Sequence, residues 1–266
     1  MKTLVLANQK GGVGKSAVVC SYAYYLALQR GLQVLVVDLD HQQNTSKTLR
    51  TGGIAQTAGI SSSKVLSNKT AASQVQKGNL VLVPGDPDLK RMERKSAEHN
   101  QFATNLMQFL RAVADRFDIC IVDTNPNPDI RQLASLVVAD YVLSPLQLNQ
   151  EAIDGIGSLL NDDMIGVRKI QTTLNKKLQL IGMLPNMVEP TPFQKENFVA
   201  LCQAFGKLLI PMPGGGFAAI KKTTAIAEAQ ASGLPLWKSG KSTGAAAWAH
   251  IRPVYEVIAK KMEIDQ

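Results

Sequence analysis

A chain of 266 residues with 45% hydrophobic and 19% charged residues holds enough apolar material for one large core and reads as globular rather than disordered. No apolar run approaches the ~18 residues that span a bilayer, and the N-terminal run turns polar at Asn8-Gln9-Lys10, too soon for a signal peptide, so a cytoplasmic location is expected. The formal charge of +8 is lopsided: residues 1–163 carry 16 Lys/Arg against 15 Asp/Glu, and residues 164–266 carry 13 against 6, which suits either a polyanion such as nucleic acid or a solvated basic face.

In chain order, "KTLVLA" (2–7) is a short apolar run that leads directly into a glycine loop. "KSAVVCSYAYYLALQRG" (15–31) has helical spacing and a basic, glycine-stopped end. "QVLVVDLD" (33–40) is too apolar for a strand with one wet face, as expected of a buried parallel strand. Strand, loop, helix and strand make a βαβ unit. The small, polar residues 51–78 are expected as a surface excursion. "NLVLVPG" (79–85) and "DICIVDT" (118–124) predict strands, with a helix through 105–117 before the second. "DYVLSPL" (140–146), "LQLIGMLPN" (178–186) and "KLLIPM" (207–212) repeat the strand signal, and 193–205 has helical spacing. In 245–263, Trp248, Ile251, Tyr255, Ile258 and Met262 fall on one helical stripe, expected to pack as core. Alternating strands and helices predict an α/β fold: one three-layer α/β/α domain over residues 1–266, with a mostly parallel twisted sheet. Three cysteines and three histidines are scattered with no metal or redox spacing.

The loop "ANQKGGVGKSAVVC" (7–20) nearly matches the phosphate-binding pattern G-x-x-x-x-G-K-[ST], but Gln9 stands where the first glycine belongs and Lys10 adds a second lysine. Gly11, Gly12 and Gly14 allow the backbone to turn its N–H groups inward as an anion nest, and a helix N-terminus follows. Lys15 supplies an ammonium to the β/γ-phosphates and Ser16 a hydroxyl to Mg²⁺. Asp123, at the end of an apolar strand, is placed to hold the metal's water shell. Asp38 and Asp40 alternate to the same side of their strand, with Asp40 expected to orient an attacking water and Asp38 to support Mg²⁺. The cofactors expected are ATP and Mg²⁺.

"KGGVGKS" (10–16), "VLVVDLDHQQN" (34–44) and "DICIVDT" (118–124) resemble the deviant Walker A, Walker A′ and Walker B motifs of the ParA/MinD ATPases, and the chain is most similar to their plasmid-partition branch. "ADYVLSPLQL" (139–148), "ASGLPLWK" (231–238) and "KMEIDQ" (261–266) extend the resemblance over essentially the whole chain. It implies a P-loop ATPase, with Gly11, Gly12, Val13, Gly14, Lys15, Ser16 and Ala17 holding the phosphates and Asn186 touching adenine. It implies that Lys10 reaches across an ATP-sandwiched homodimer to the partner's phosphates, and that Lys10, Lys15 and Asp40 are the catalytic set. It also implies non-specific DNA binding by the ATP-bound dimer on the nucleoid, release triggered by a ParB-type centromere-binding partner, and no membrane attachment. Lys221 and Lys222, Lys238 and Lys241, and Arg252 with Lys260 and Lys261 are the DNA-binding candidates. Three positions depart from the pattern: His41 replaces a proline, Ala17 a Thr or Ser, and "DTNPNPD" (123–129) replaces "DTPP". The absence of a segment before Lys2 leads us to expect no sequence-specific repressor. A small-molecule P-loop ligase or kinase, and a non-catalytic DNA scaffold, remain the alternatives.

Overall fold

The computed structural model describes residues 1–68, 71–92, 99–127, 129–163 and 165–264. Residues 69–70 of the expected excursion, Pro128 of the 123–129 loop and the terminal Asp265-Gln266 lie outside the described residues.

Seven strands form one sheet: β1 (Lys2–Leu6), β2 (Val34–Asp38), β3 (Gln56–Thr57), β4 (Leu80–Val83), β5 (Ile119–Asp123), β6 (Tyr141–Leu146) and β7 (Gln179–Pro185). Their order is β3-β4-β2-β5-β1-β6-β7, and every pairing between them is parallel. From β1 the chain winds outward to β2 on one side, and later to β6 and β7 on the other. The crevice beyond the end of β1 is therefore a topological switch point, where open α/β sheets bind ligands. Register brings Leu6 and Asp38 opposite Asp123, so the strand-end carboxylates gather at that crevice.

Alternation along the strands builds two cores. Val5, Leu35, Val37, Val81 and Val122 face one side, packed by α5 (His99–Ala112) and α6 (Ile130–Val138), with α7 (Gln150–Asn161) and α9 (Pro192–Phe205). Leu4, Leu6, Val36, Leu82 and Ile121 face the other, packed by α1 (Lys15–Tyr24) and α11 (Ser242–Lys261). Three layers result, as the alternating pattern predicts. The expected stripe on α11 is buried throughout, and Trp248 and Tyr255 mesh with Tyr22 and Tyr25, ring centroids 5.0–6.1 Å apart.

Several boundaries differ from expectation. The helix expected over 15–31 is α-helical only to Tyr24 and widens to a π-turn over Tyr25–Gln29. The strand expected over 207–212 is absent: Gly206–Leu208 is a 3₁₀ turn, and only isolated bridges join Leu209 to Met183 and Pro211 to Phe217. Pro211 has no N–H for a ladder, and the left-handed Gly215 and Gly216 fold the chain back at once. Segment 51–78 lies closer to the body than its polar composition suggests. It supplies edge strand β3 and the helix α3 (Ser62–Ser67), and Ile60, Val65, Leu66 and Val75 enter the core.

Candidate active site

The glycine loop fills the turn between β1 and α1. Gly12 and Gly14 have φ of 75° and 79°, which L side chains rarely adopt. Gly14 is needed for space as well, since a Cβ there would meet Asn186 Nδ2 at 2.4 Å. Gly14 is also the N-cap of α1, with no side-chain cap and no acidic residue in the first turn. The first N–H groups of α1 and its positive dipole end are thus left for an anion.

The loop borders an open cleft of about 670 Å³, lined by Gly11 through Ala17, Asp40, Asn44, Lys47, Pro126, Met187 and Gln230 among others. That is within the range of ligand pockets. Lys15 is buried, and its Nζ donates to the loop carbonyls of Asn8 (3.1 Å) and Lys10 (3.3 Å). Burial lowers its pKa, while the charges of Asp123 and Asp40 oppose the shift. A phosphate at the loop would give this desolvated ammonium a full counter-charge.

The three carboxylates have distinct surroundings. Asp123 Oδ2 accepts from Ser16 Oγ at 2.7 Å and Thr45 Oγ1 at 2.6 Å, while its buried Oδ1 has no partner. An orphaned buried carboxylate oxygen beside a serine hydroxyl fits a hydrated Mg²⁺. Among the described residues no cluster of three or more His, Cys, Asp or Glu could hold a metal alone, so phosphate oxygens and water must complete the shell. Asp38 is fully engaged: Oδ2 accepts from the Ser46 N–H and hydroxyl at 2.9 and 2.6 Å, and Oδ1 from Asp40 N at 3.0 Å. Asp38 thus has less free acceptor capacity for a metal than Asp123, whose Oδ1 has no partner. Burial, then the neighbouring Asp123, pushes Asp38 up to about 7, and burial raises Asp123 as well. A divalent cation between such groups would offset that repulsion.

Thr45, Ser46 and Gly85 are site residues that motif reading missed. Thr45 and Ser46 open α2 (Asn44–Thr51), and Ser46 Oγ also accepts from Gly85 N at 2.9 Å. A Cβ on Gly85 would meet Asp40 O at 2.7 Å, so only glycine lets the Asp38–Asp40 loop pass. The run Asn44-Thr45-Ser46 at a helix start was the available signal.

Lys10 Nζ lies at the mouth of the site, paired with Glu151 Oε2 at 2.8 Å, with 38% of its side chain exposed. Asn186, expected to touch adenine, follows β7, is buried and donates to Val13 O at 2.8 Å, which braces the glycine loop.

The DNA-binding candidates do not form one patch. Lys221 shares a groove of about 400 Å³ with Thr223, Thr224, Thr243 and His250, whose pKa is lowered by burial and then by the Lys221 charge. Lys222 pairs with Glu189 (3.2 Å), Lys241 with Glu228 (2.9 Å) and Arg252 with Glu256 (2.8 Å). Arg252 and Lys260 line a different cleft, with Arg30. Lys238 and Lys261 are exposed. No helix among the described residues is long and apolar enough to cross a membrane.

The family described as "AAA domain" matches residues 1–180. Protein IncC of Escherichia coli is 35% identical over 279 residues, covering all of this chain and 71% of IncC. The chromosome-partitioning ATPase Soj of Treponema pallidum is 29% identical, covering 97% of this chain and 98% of Soj. Among solved structures, the ATP complex of Cyanothece McdA(D38A) superposes with a TM-score of 0.80 at 20% identity, covering 100% of this chain and 98% of McdA. Cobyrinic acid a,c-diamide synthase of Mycobacterium smegmatis, with ADP and magnesium bound, superposes with a TM-score of 0.69 at 26% identity, covering 91% and 97%. With its lysine-doubled glycine loop, strand-end carboxylates and full-length relatives, the chain belongs to the ParA/MinD-type family of deviant Walker A ATPases.

Proposed function

We propose that this chain is a Mg²⁺-ATP-driven switch that positions DNA during partition. The observation that supports it most is the division of labour between two lysines of one loop. Lys15 is buried over its own phosphate site, whereas Lys10 stands at the mouth, half-exposed and held only by an acidic side chain. A subunit acting alone has no use for the second lysine. Two subunits facing each other across two nucleotides do, because each Lys10 then offsets the charge of its partner's phosphates.

In hydrolysis the loop N–H groups, α1 and Lys15 bind and orient the phosphates. Ser16 and Asp123 would hold Mg²⁺, which supplies charge neutralisation on the phosphate oxygens. Asp40, presented by Asp38 and Ser46, orients the attacking water and accepts its proton. Asn186, which braces the loop through Val13 O, would contact the adenine when ATP is bound. The Soj relative, a chromosome-partitioning ATPase by name, and the basic last hundred residues support DNA as the object moved. The ATP-bound dimer binds DNA non-specifically through Lys221 and the other basic candidates, and a ParB-type partner stimulates hydrolysis and release. The location that follows is cytoplasmic, on the nucleoid when ATP is bound.

A small-molecule ligase is the second reading, favoured by the M. smegmatis synthase. Such an enzyme needs an acceptor pocket. The enclosed cavity between α1, α10 (Thr224–Ser232) and α11 has room for only about 30 Å³, one or two waters, so an acceptor would have to share the open 670 Å³ cleft with the nucleotide. Light scattering tests the proposed switch: Mg²⁺-ATP should convert the protein to a dimer, and Lys10→Ala should leave it folded and monomeric. ATP-dependent dimers of that variant at wild-type affinity would remove the cross-subunit role.

A further inference from the structure

The largest fully buried side chain among the described residues is that of Arg131, at the start of α6. A guanidinium wholly withdrawn from water persists only where its charge is matched and its donors are satisfied. Its Nε lies 3.1 and 3.2 Å from the two oxygens of Asp129, and its Nη2 2.5 Å from Oδ2. Asp129 also caps α6 by accepting from Arg131 N at 2.8 Å, and it accepts from Asn125 Nδ2 at 2.7 Å. Asn125 reaches Asn127 O at 3.2 Å. These bonds tie down the loop that begins at Asp123.

The remaining arm of the guanidinium points to the neighbouring loop. Arg131 Nη1 is 3.4 Å from His41 Nδ1 and can donate to it; Asp40 Oδ1 lies 3.6 Å from the same nitrogen, beyond hydrogen-bond reach, so the link from His41 to Asp40 is the backbone between these neighbouring residues. Capping a helix requires Asp129 alone; an arginine buried between two loops does more, because it fixes one against the other. The loops so joined present Asp123 and Asp40. They are also the segments where this sequence has His41 in place of a proline and an asparagine before each of Pro126 and Pro128. At position 41 a proline would restrict the backbone covalently, and here the contact from Arg131 does so instead.

We propose that Arg131 is a positioning residue for ATP hydrolysis, holding Asp40 in register with Asp123 through His41. The proposal rests on Asp40 as the group that orients the attacking water. Sub-ångström displacement of such a group costs rate and leaves the phosphate cradle intact. It predicts a split: Arg131→Lys keeps the charge and loses the fork, so kcat should fall at least about tenfold while KM for ATP stays within about twofold. His41→Ala, at a position where 19% of the side chain is exposed, should lower kcat in the same way, with folding checked by circular dichroism. The double variant should be no slower than the slower single, since both break one link.

Steady-state turnover of the full chain, with active sites counted by nucleotide titration, decides. Unchanged kcat per site in His41→Ala overturns the proposal even if Arg131→Lys fails to fold, because the link passes through His41. Single effects that multiply in the double variant also overturn it. Asp40→Ala separates the two levels. Full turnover in Asp40→Ala removes Asp40 from its role, whereas a dead Asp40→Ala beside normal His41→Ala and Arg131→Lys removes only the coupling.

Discussion

The nucleotide crevice and the basic C-terminal surface are built on opposite principles. At the crevice, charged groups are buried and individually fixed: Lys15 on two carbonyls, Asp123 on two hydroxyls, Asp38 on Ser46 and Asp40. On the basic surface, Lys222, Lys241 and Arg252 are exposed and each is spoken for by a nearby glutamate. A single subunit therefore arrives with its nucleotide site assembled and its polyanion site dispersed. The difference teaches where nucleotide control can enter. ATP has little to organise within one subunit, and under the proposed switch its effect is to bring a second subunit alongside, with separate basic groups then on one face.

The sharpest way to break this comparison is Lys15→Ala. In the apo state the variant should be no less stable than the parent, because it removes a desolvated ammonium. Its gain in thermal stability on adding Mg²⁺-ATP, about 2.7 kcal/mol at a hundredfold excess over Kd in the parent, should vanish. Calorimetry with and without nucleotide checks both halves. A full ligand-induced shift in the variant would mean that the cleft is not organised around this lysine.

Lys221→Ala probes the other region with a smaller effect. Lys221 lies in a groove with His250 and carries none of the ion pairs seen at Lys222, Lys241 and Arg252. Its loss should weaken binding to random duplex a few-fold and reduce the slope of log K against log salt by about 1. An unchanged slope would place the phosphate contacts elsewhere. Smallest is Glu151→Gln, which frees Lys10. An exposed pair is worth about 0.2–1 kcal/mol and a dimer frees two of them, so ATP-dependent dimerisation should tighten by no more than about thirtyfold. Weaker dimers would show instead that Glu151 acts across the interface.

Legibility in the sequence follows the same divide. The βαβ unit and the sheet could be read because their signals are local: continuous apolar runs for strands buried on both faces, and a glycine-lysine loop between strand and helix. Lys15, Ser16 and Asp123 came together as their motifs implied. What could not be read depends on contacts distant in sequence. Thr45 and Ser46 look like ordinary helix-start residues until β2 and β5 bring Asp38 and Asp123 to them. Gly85 matters only because another loop crosses it. Arg131 carries no motif signal in the sequence, and its burial appears only once α6 is docked. The strand expected at 207–212 failed for a local reason that its composition hid: apolar residues favoured a strand, and Pro211 with Gly214 to Gly216 ended it.

The central claim is that nucleotide state governs DNA binding by joining two subunits. Binding of a fluorescent random-sequence duplex, titrated at fixed salt with Mg²⁺-ATP, Mg²⁺-ADP or no nucleotide, tests it most directly. The account predicts tight binding with ATP alone, lost on adding salt and absent from both Lys10→Ala and Lys15→Ala. Equal affinity in all three nucleotide states would contradict it and leave a basic protein that holds DNA without a switch.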